Sequence, residues 1–159
     1  LLLIINNCEV DLMDQIDKKI LNMLQANARV SLKEMSKACF ISSPAIAARI
    51  TKMEEAGIIT GYHTSINREK LNFHVKAFIM VQLEPNQKRE FYPFVQSIPN
   101  VIECNCITGD YSEVMEVIFP STKDLDDFIN EIQRRFGKTS TQIVFSTSVD
   151  HRGVKLNDH

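Results

Sequence analysis

Residues 31–57 read SLKEMSKACFISSPAIAARITKMEEAG, and their punctuation decides the first half of the fold. Ser31 can cap a helix, and Glu34 three residues on completes a capping box. Leu32, Met35, Ser36 and Cys39 recur on one helical face, with Lys33 and Lys37 on the wet side. Phe40 and Ile41 break the polar alternation and are expected to form a buried turn. Ser42 or Ser43 caps a second helix, and Pro44 suits its first turn, where a missing N–H costs little. Ile46, Ile50 and Met53 should face inward, leaving Ala45, Ala47, Ala48, Arg49, Thr51 and Lys52 for the other faces. Gly57 ends the helix, because a left-handed residue is needed there and glycine has no Cβ to clash. A bracing helix, a tight turn and a second helix with a small-residue face make a helix-turn-helix, whose second helix can enter the DNA major groove. Two packed amphipathic helices alone would serve any helical domain. The sharper reading comes from the outer face: alanines let a backbone approach bases closely, while Ser42, Ser43, Arg49 and Lys52 can donate to phosphates or base edges.

Upstream, residues 14–28 (DQIDKKILNMLQANA) carry Ile16, Ile20, Leu21, Met23 and Leu24 as an apolar stripe. Asp14 is placed to cap and Asp17 lies in the first turn, where the helix dipole favours it. Three helices therefore precede Gly57. Downstream, Ile58, Ile59 and Ile66 favour a short strand or wing, with Gly61 as a kink. The polar run 67–73 reads as a boundary, giving a helix-turn-helix domain over 9–62, a hinge over 63–73, a second domain over 74–150 and a loosely held polar tail over 151–159.

After residue 74 the period changes. Residues 75–84 are apolar at nearly every position. Ala77, Ile79, Val81 and Leu83 line one face and Val75, Phe78 and Met80 the other, so both faces should be covered. A helix over 88–98 containing Pro93, a strand over 101–108, a Gly109-Asp110 turn, a strand over 111–119, a helix over 122–136 closed by Gly137 and a strand over 141–149 follow. The order β-α-β-β-α-β is the ferredoxin-like arrangement, with helices on one face and an open face available to a second copy. The fold class is α+β.

The 18 Lys and Arg and 20 Asp and Glu leave a formal net charge of −2. Up to Tyr62 there are seven of each sign. Nucleic-acid contact must then come from a local patch. Cys8, Cys39, Cys104 and Cys106 form no CxxC pair and have no histidine at zinc-finger spacing. Cys104 and Cys106, two apart on a strand, read as small apolar side chains in a sheet rather than a redox or metal pair. Reduced thiols suit a cytoplasmic protein. The opening LLLII is too short to cross a membrane and lacks the basic flank of a secretory signal. His63, His74, His151 and His159 are scattered, and no nucleophile–base pair, phosphate-cradling loop or paired-carboxylate site stands out. Neither enzyme activity nor a cofactor is expected.

The chain resembles the Lrp/AsnC (leucine-responsive/asparagine-type) transcriptional regulators from about Asp14 to Val149. The resemblance rests on DQIDKKIL, on NAR at 27–29, on RITKMEEAGIITGY at 49–62 and on VIECNCITGDYSEVMEV at 101–117. It implies a winged helix-turn-helix domain followed by a ferredoxin-like RAM domain that dimerises, assembles into octamers and binds amino-acid effectors near the second-domain hairpin. Ser31, Lys33, Lys37, Ser42, Ser43, Pro44, Ala45, Ala47, Ala48, Arg49, Thr51 and Lys52 are then the expected contacts to double-stranded DNA. Thr108, Gly109, Asp110, Tyr111 and Ser112 are the expected effector loop. Two departures stand out. Phe40 replaces a frequent glycine, implying a differently packed turn. Ser112 replaces a frequent Asp, removing a partner for an ammonium group. An architectural DNA compactor and a stand-alone ligand-binding module are the alternatives.

Overall fold

The computed structural model describes residues 13–156. The expectations for LLLII, Cys8, the first residues of the 9–62 domain and His159 lie outside the described residues. Of the described residues, those up to Ser65 form one compact unit together with those from Val149 onward, and Ile66–Ser148 form the other.

The first unit is built on α1 (Gln15–Ala26), α2 (Leu32–Cys39) and α3 (Ser43–Glu55). Each start is fixed locally. Asp14 and Asp17 make a reciprocal capping box on α1, Ser31 and Glu34 make another on α2, and Ser42 caps α3 with Pro44 in the first turn. Ile20, Leu21, Met35, Cys39, Ile46 and Met53 are buried together, with Ile16, Ile41, Ile50, Ile58 and Ile59 packed around them. The exit from α3 is a Schellman closure. Gly57 has φ +70° and donates to the Glu54 carbonyl at 3.0 Å, while the Ile58 N–H reaches the Met53 carbonyl at 2.9 Å. Both hydrogen-bonded residues, Met53 and Ile58, also belong to the apolar cluster.

Three expectations change here. No strand forms over 58–66, because Ile58 and Ile59 spend their N–H groups on the helix end and their side chains on the helical core. Phe40 is not buried: it is 91% exposed, while Ile41 beside it packs inward. The tail is not loose through Leu156. The Asn22 amide donates to the Leu156 carbonyl at 2.8 Å and accepts from its N–H at 3.1 Å, Gln25 donates to the Val154 carbonyl at 2.9 Å, and Leu156 joins the helical core.

The second unit has β1 (Val75–Val81), α4 (Lys88–Gln96), β2 (Val101–Cys106), β3 (Glu113–Phe119), α5 (Thr122–Phe136) and β4 (Thr139–Ile143). The sheet runs β2-β3-β1-β4 with every neighbouring pair antiparallel. Ala77, Ile79 and Val81 of β1 and Met115, Val117 and Phe119 of β3 meet Phe91 and Val95 of α4 and Leu125, Phe128, Ile132 and Phe136 of α5. Val75 packs with this side, not the opposite one. Pro93 is accommodated without ending α4. The last strand is earlier and shorter than its apolar pattern suggested: pairing with β1 ends at Ile143, and Phe145 is 99% exposed.

On the sheet's other side, Phe78 is partly exposed, Lys76 lies over its ring, and Glu116 accepts from Arg68 at 3.0 Å and pairs with Lys76 at 3.2 Å.

Candidate nucleic-acid interface and effector loop

The exposed side of α3 carries Ser42, Pro44, Ala48, Thr51 and Lys52, with Ser43, Ala45 and Ala47 half-buried at its edges. Pro44, Ala48, Thr51 and Lys52 follow helical spacing, so one low-relief stripe ends in a cation. Lys33 and Lys37 are exposed on α2, and with Lys52 they make no ion pair with a described residue. Ser42 Oγ accepts from the Ala45 N–H at 3.3 Å, which orders the start of α3. The remaining N–H groups of that turn are the donors that phosphates accept at helix N-termini.

Two expected contacts have other work. The Ser31 hydroxyl donates to Glu34 at 2.7 Å and accepts from the Glu34 N–H, so it is consumed by the cap. Arg49 turns toward α1, donating from one nitrogen to Asp14 at 2.7 Å and Asp17 at 2.8 Å. Asp17 is nearly buried, and an unpaired carboxylate there would be costly; the guanidinium answers it. Arg49 therefore braces α3 against α1.

In the second unit Thr108, Gly109 and Asp110 are exposed, and Gly109 has φ +116°. Tyr111 is half-buried with Lys138 over its ring at 5.6 Å. Ser112 faces the end of β1. Its hydroxyl accepts from the Leu83 N–H at 3.0 Å, and its N–H donates to the Val81 carbonyl at 3.0 Å. Ser112 therefore fastens the hairpin to the end of β1.

A family model described as winged helix-turn-helix DNA-binding matches residues 13–60, and one described as the Lrp/AsnC ligand binding domain matches residues 76–154. The chain belongs to the Lrp/AsnC family of helix-turn-helix transcriptional regulators. It is 42% identical over 139 residues to the uncharacterized regulator YezC of Bacillus subtilis, covering 87% of this chain and 98% of that one. It is 32% identical to the regulator LrpA of the same organism, covering 77% and 91%. The solved structure of Escherichia coli AsnC superposes with a TM-score of 0.81 at 31% identity, covering 91% of this chain and 99% of that one.

As an Lrp/AsnC regulator, the chain has DNA as its partner. Among the described residues no helix is long and apolar enough to cross a membrane. Phe40 closes α2 with φ 57° and ψ 35°, which puts a phenylalanine in the left-handed conformation that glycine adopts freely. The Lys19 ammonium lies 5.9 Å from its ring centroid and donates to the Ala38 carbonyl at 2.6 Å. Sequence reading missed Glu113, a carboxylate on the core side of β3 in register with Met115, Val117 and Phe119. The signal was available, because an acid occupied an inward position of a period-two pattern.

Proposed function

We propose that two copies of this regulator, joined through the open sides of their sheets, set their α3 helices into successive major grooves of a specific operator. The observation that carries this reading is the small-residue stripe of Pro44, Ala48 and Thr51 leading to Lys52, exposed on a helix whose opposite side anchors the core. Ser42, Ser43 and Ala45 frame its start, Ala47 flanks it, and Lys33 and Lys37 hold phosphates. Two heads on a two-fold axis read half-sites about 34–36 Å apart, or a multiple of that. Partly exposed Phe78 on the sheet's open side supports a pairing surface, with octamers as the higher assembly. The regulator acts in the cytoplasm, and an amino-acid effector engages the loop at Thr108–Tyr111.

Lys52→Ala tests the DNA reading. It should weaken binding to all sequences alike and reduce the slope of log K against log salt by about 0.9 per head. An unchanged slope removes Lys52 from the phosphate contacts. Footprinting on genomic fragments separates a specific regulator from a compactor, since the former protects discrete sites and the latter covers DNA uniformly.

A further inference from the structure

The chain crosses between its two units twice. It leaves the helical unit after Ser65 and rejoins it at Val149. Residues 149–156 are in neither helix nor strand, yet they are held against α1. Gln25 donates to the Val154 carbonyl at 2.9 Å. The Asn22 side chain donates to the Leu156 carbonyl at 2.8 Å and accepts from the Leu156 N–H at 3.1 Å. Asn22 and Gln25 are three residues apart, so they share one side of α1. Leu156 packs against the helical core.

Gly153 permits this approach. A Cβ placed there would stand 2.8 Å from the Cβ of Gln25. Carbon atoms pack at about 3.5–4.0 Å, and the Gln25 Cβ is fixed to a helix backbone, so it cannot step aside as the end of a side chain can. Gly153 is not among the glycines with positive φ. Alanine therefore suits its backbone, and what alanine removes is the close approach to α1. The opposite end of α1 carries Asp14 and Asp17, which hold Arg49 of α3. Loss of the contacts at Asn22 and Gln25 leaves that brace in place.

The hold is slight. Ordering the segment costs conformational entropy at every residue, against which stand these hydrogen bonds and one leucine. Val149 and Val154 remain 61% and 74% exposed. The segment is thus close to balance between docked and free. The bonds that dock it join neutral groups, so added salt does not release it.

We propose that residues 149–156 are a releasable strap. Docked on α1, it ties the helical unit to the sheet unit by a second connection. Released, it leaves the helical unit on the connection at Ser65–Ile66 alone. In a two-headed complex the docked strap narrows the half-site spacings that both heads can reach together. This last consequence rests on the DNA-binding reading; the strap itself does not.

The test uses the full chain, with Gly153→Ala and Asn22→Ala as two variants that act from opposite sides of the contact. Trypsin cleavage after Arg152 and Lys155, followed by mass spectrometry, should be about tenfold faster in each variant, with cuts elsewhere unchanged. Raised salt should not speed these cuts in the wild type. Nitrogen-15 relaxation should show a shorter correlation time for the helical unit in both variants. On a fragment with two half-sites, small inserts between them should weaken the wild type severalfold more than Gly153→Ala. Equal cleavage in the wild type and both variants overturns the docking. Faster cleavage with an unchanged correlation time overturns the tether. Operator binding with the same spacing tolerance in all three proteins overturns the role in spacing. A wild type that binds no discrete site refutes the DNA-binding reading instead, and cleavage and relaxation still decide the strap.

Discussion

Arg49→Met separates bracing from DNA contact. The guanidinium meets Asp14 and Asp17, whose side chains are 50% and 12% exposed, while its own is 31% exposed. The Asp14 contact is near-surface and contributes little. The Asp17 contact is charge-assisted and nearly dry, which places it at about 1.5–3 kcal/mol. Methionine keeps the aliphatic stem, and Asp17 keeps its hydrogen bond from the Asp14 N–H at 3.2 Å, so the loss does not reach the full cost of an orphaned buried charge. A net loss of about 2 kcal/mol from the first unit is expected. With a urea m-value of about 1–2 kcal/mol/M for so small a unit, its midpoint should fall by roughly 1–2 M. Far-UV circular dichroism would follow the transition, since this unit is helical. The slope of log K against log salt for an operator fragment should stay at the wild-type value, because no phosphate contact is lost. Unchanged stability together with a slope reduced by about 0.9 per head would refute the reasoning and return Arg49 to the DNA surface.

Phe40→Gly should raise stability by about 0.5–1 kcal/mol, since relief of left-handed strain exceeds the added backbone entropy and the exposed ring buries little. Thermal denaturation should show a higher midpoint, and a lower one would locate a packing role for the ring. Asn22→Ala removes both hydrogen bonds to Leu156 and should speed amide exchange at Leu156 at least tenfold, with little effect on the exchange of β3. Stability should fall on the acid side. The Asp14 carboxyl is held low chiefly by the Asp17 N–H, and Glu34 by the Ser31 hydroxyl. Burial pushes Glu116 upward, but Arg68 and Lys76 outweigh it and hold it low. Groups depressed on folding stabilise above their unfolded values and lose that contribution as pH falls through the folded ones. The urea midpoint should therefore drop below about pH 4.5, and less steeply in Glu116→Gln.

Most of the architecture was legible because it is written locally. Asp14 with Asp17 and Ser31 with Glu34 announce helix starts, Gly57 and Gly137 announce helix ends, and the odd residues of 77–83 announce a buried strand face. What escaped depends on distant partners. Ile58 and Ile59 look like strand formers, but a strand needs an open partner, and their amides are taken by Met53. The polar stretch before residue 156 gives no periodic signal. Its order comes from Asn22 and Gln25, more than a hundred residues away. Phe40 looked buried by composition, yet its place as the left-handed C-cap of α2 turns the ring outward.

The interface was harder to read because a cation near a candidate groove has two possible destinations. Arg49 is exposed by helical spacing alone, but Asp17 lies across on α1 and is too buried to go unanswered. With Arg49 so used, Lys33, Lys37 and Lys52 remain of the four basic residues expected at the DNA surface of each head. Six such contacts in a two-headed complex give a slope of about −5 in log K against log salt, where eight would give about −7. The donors at the start of α3 add grip without displacing as many counterions. Discrimination between operators must then rest on the close approach permitted by Ala48 and its neighbours, so Ala48→Leu should reduce the ratio of specific to nonspecific affinity at an unchanged salt slope. A slope near −7 that Arg49→Met lowers, with specificity untouched by Ala48→Leu, would reverse both assignments.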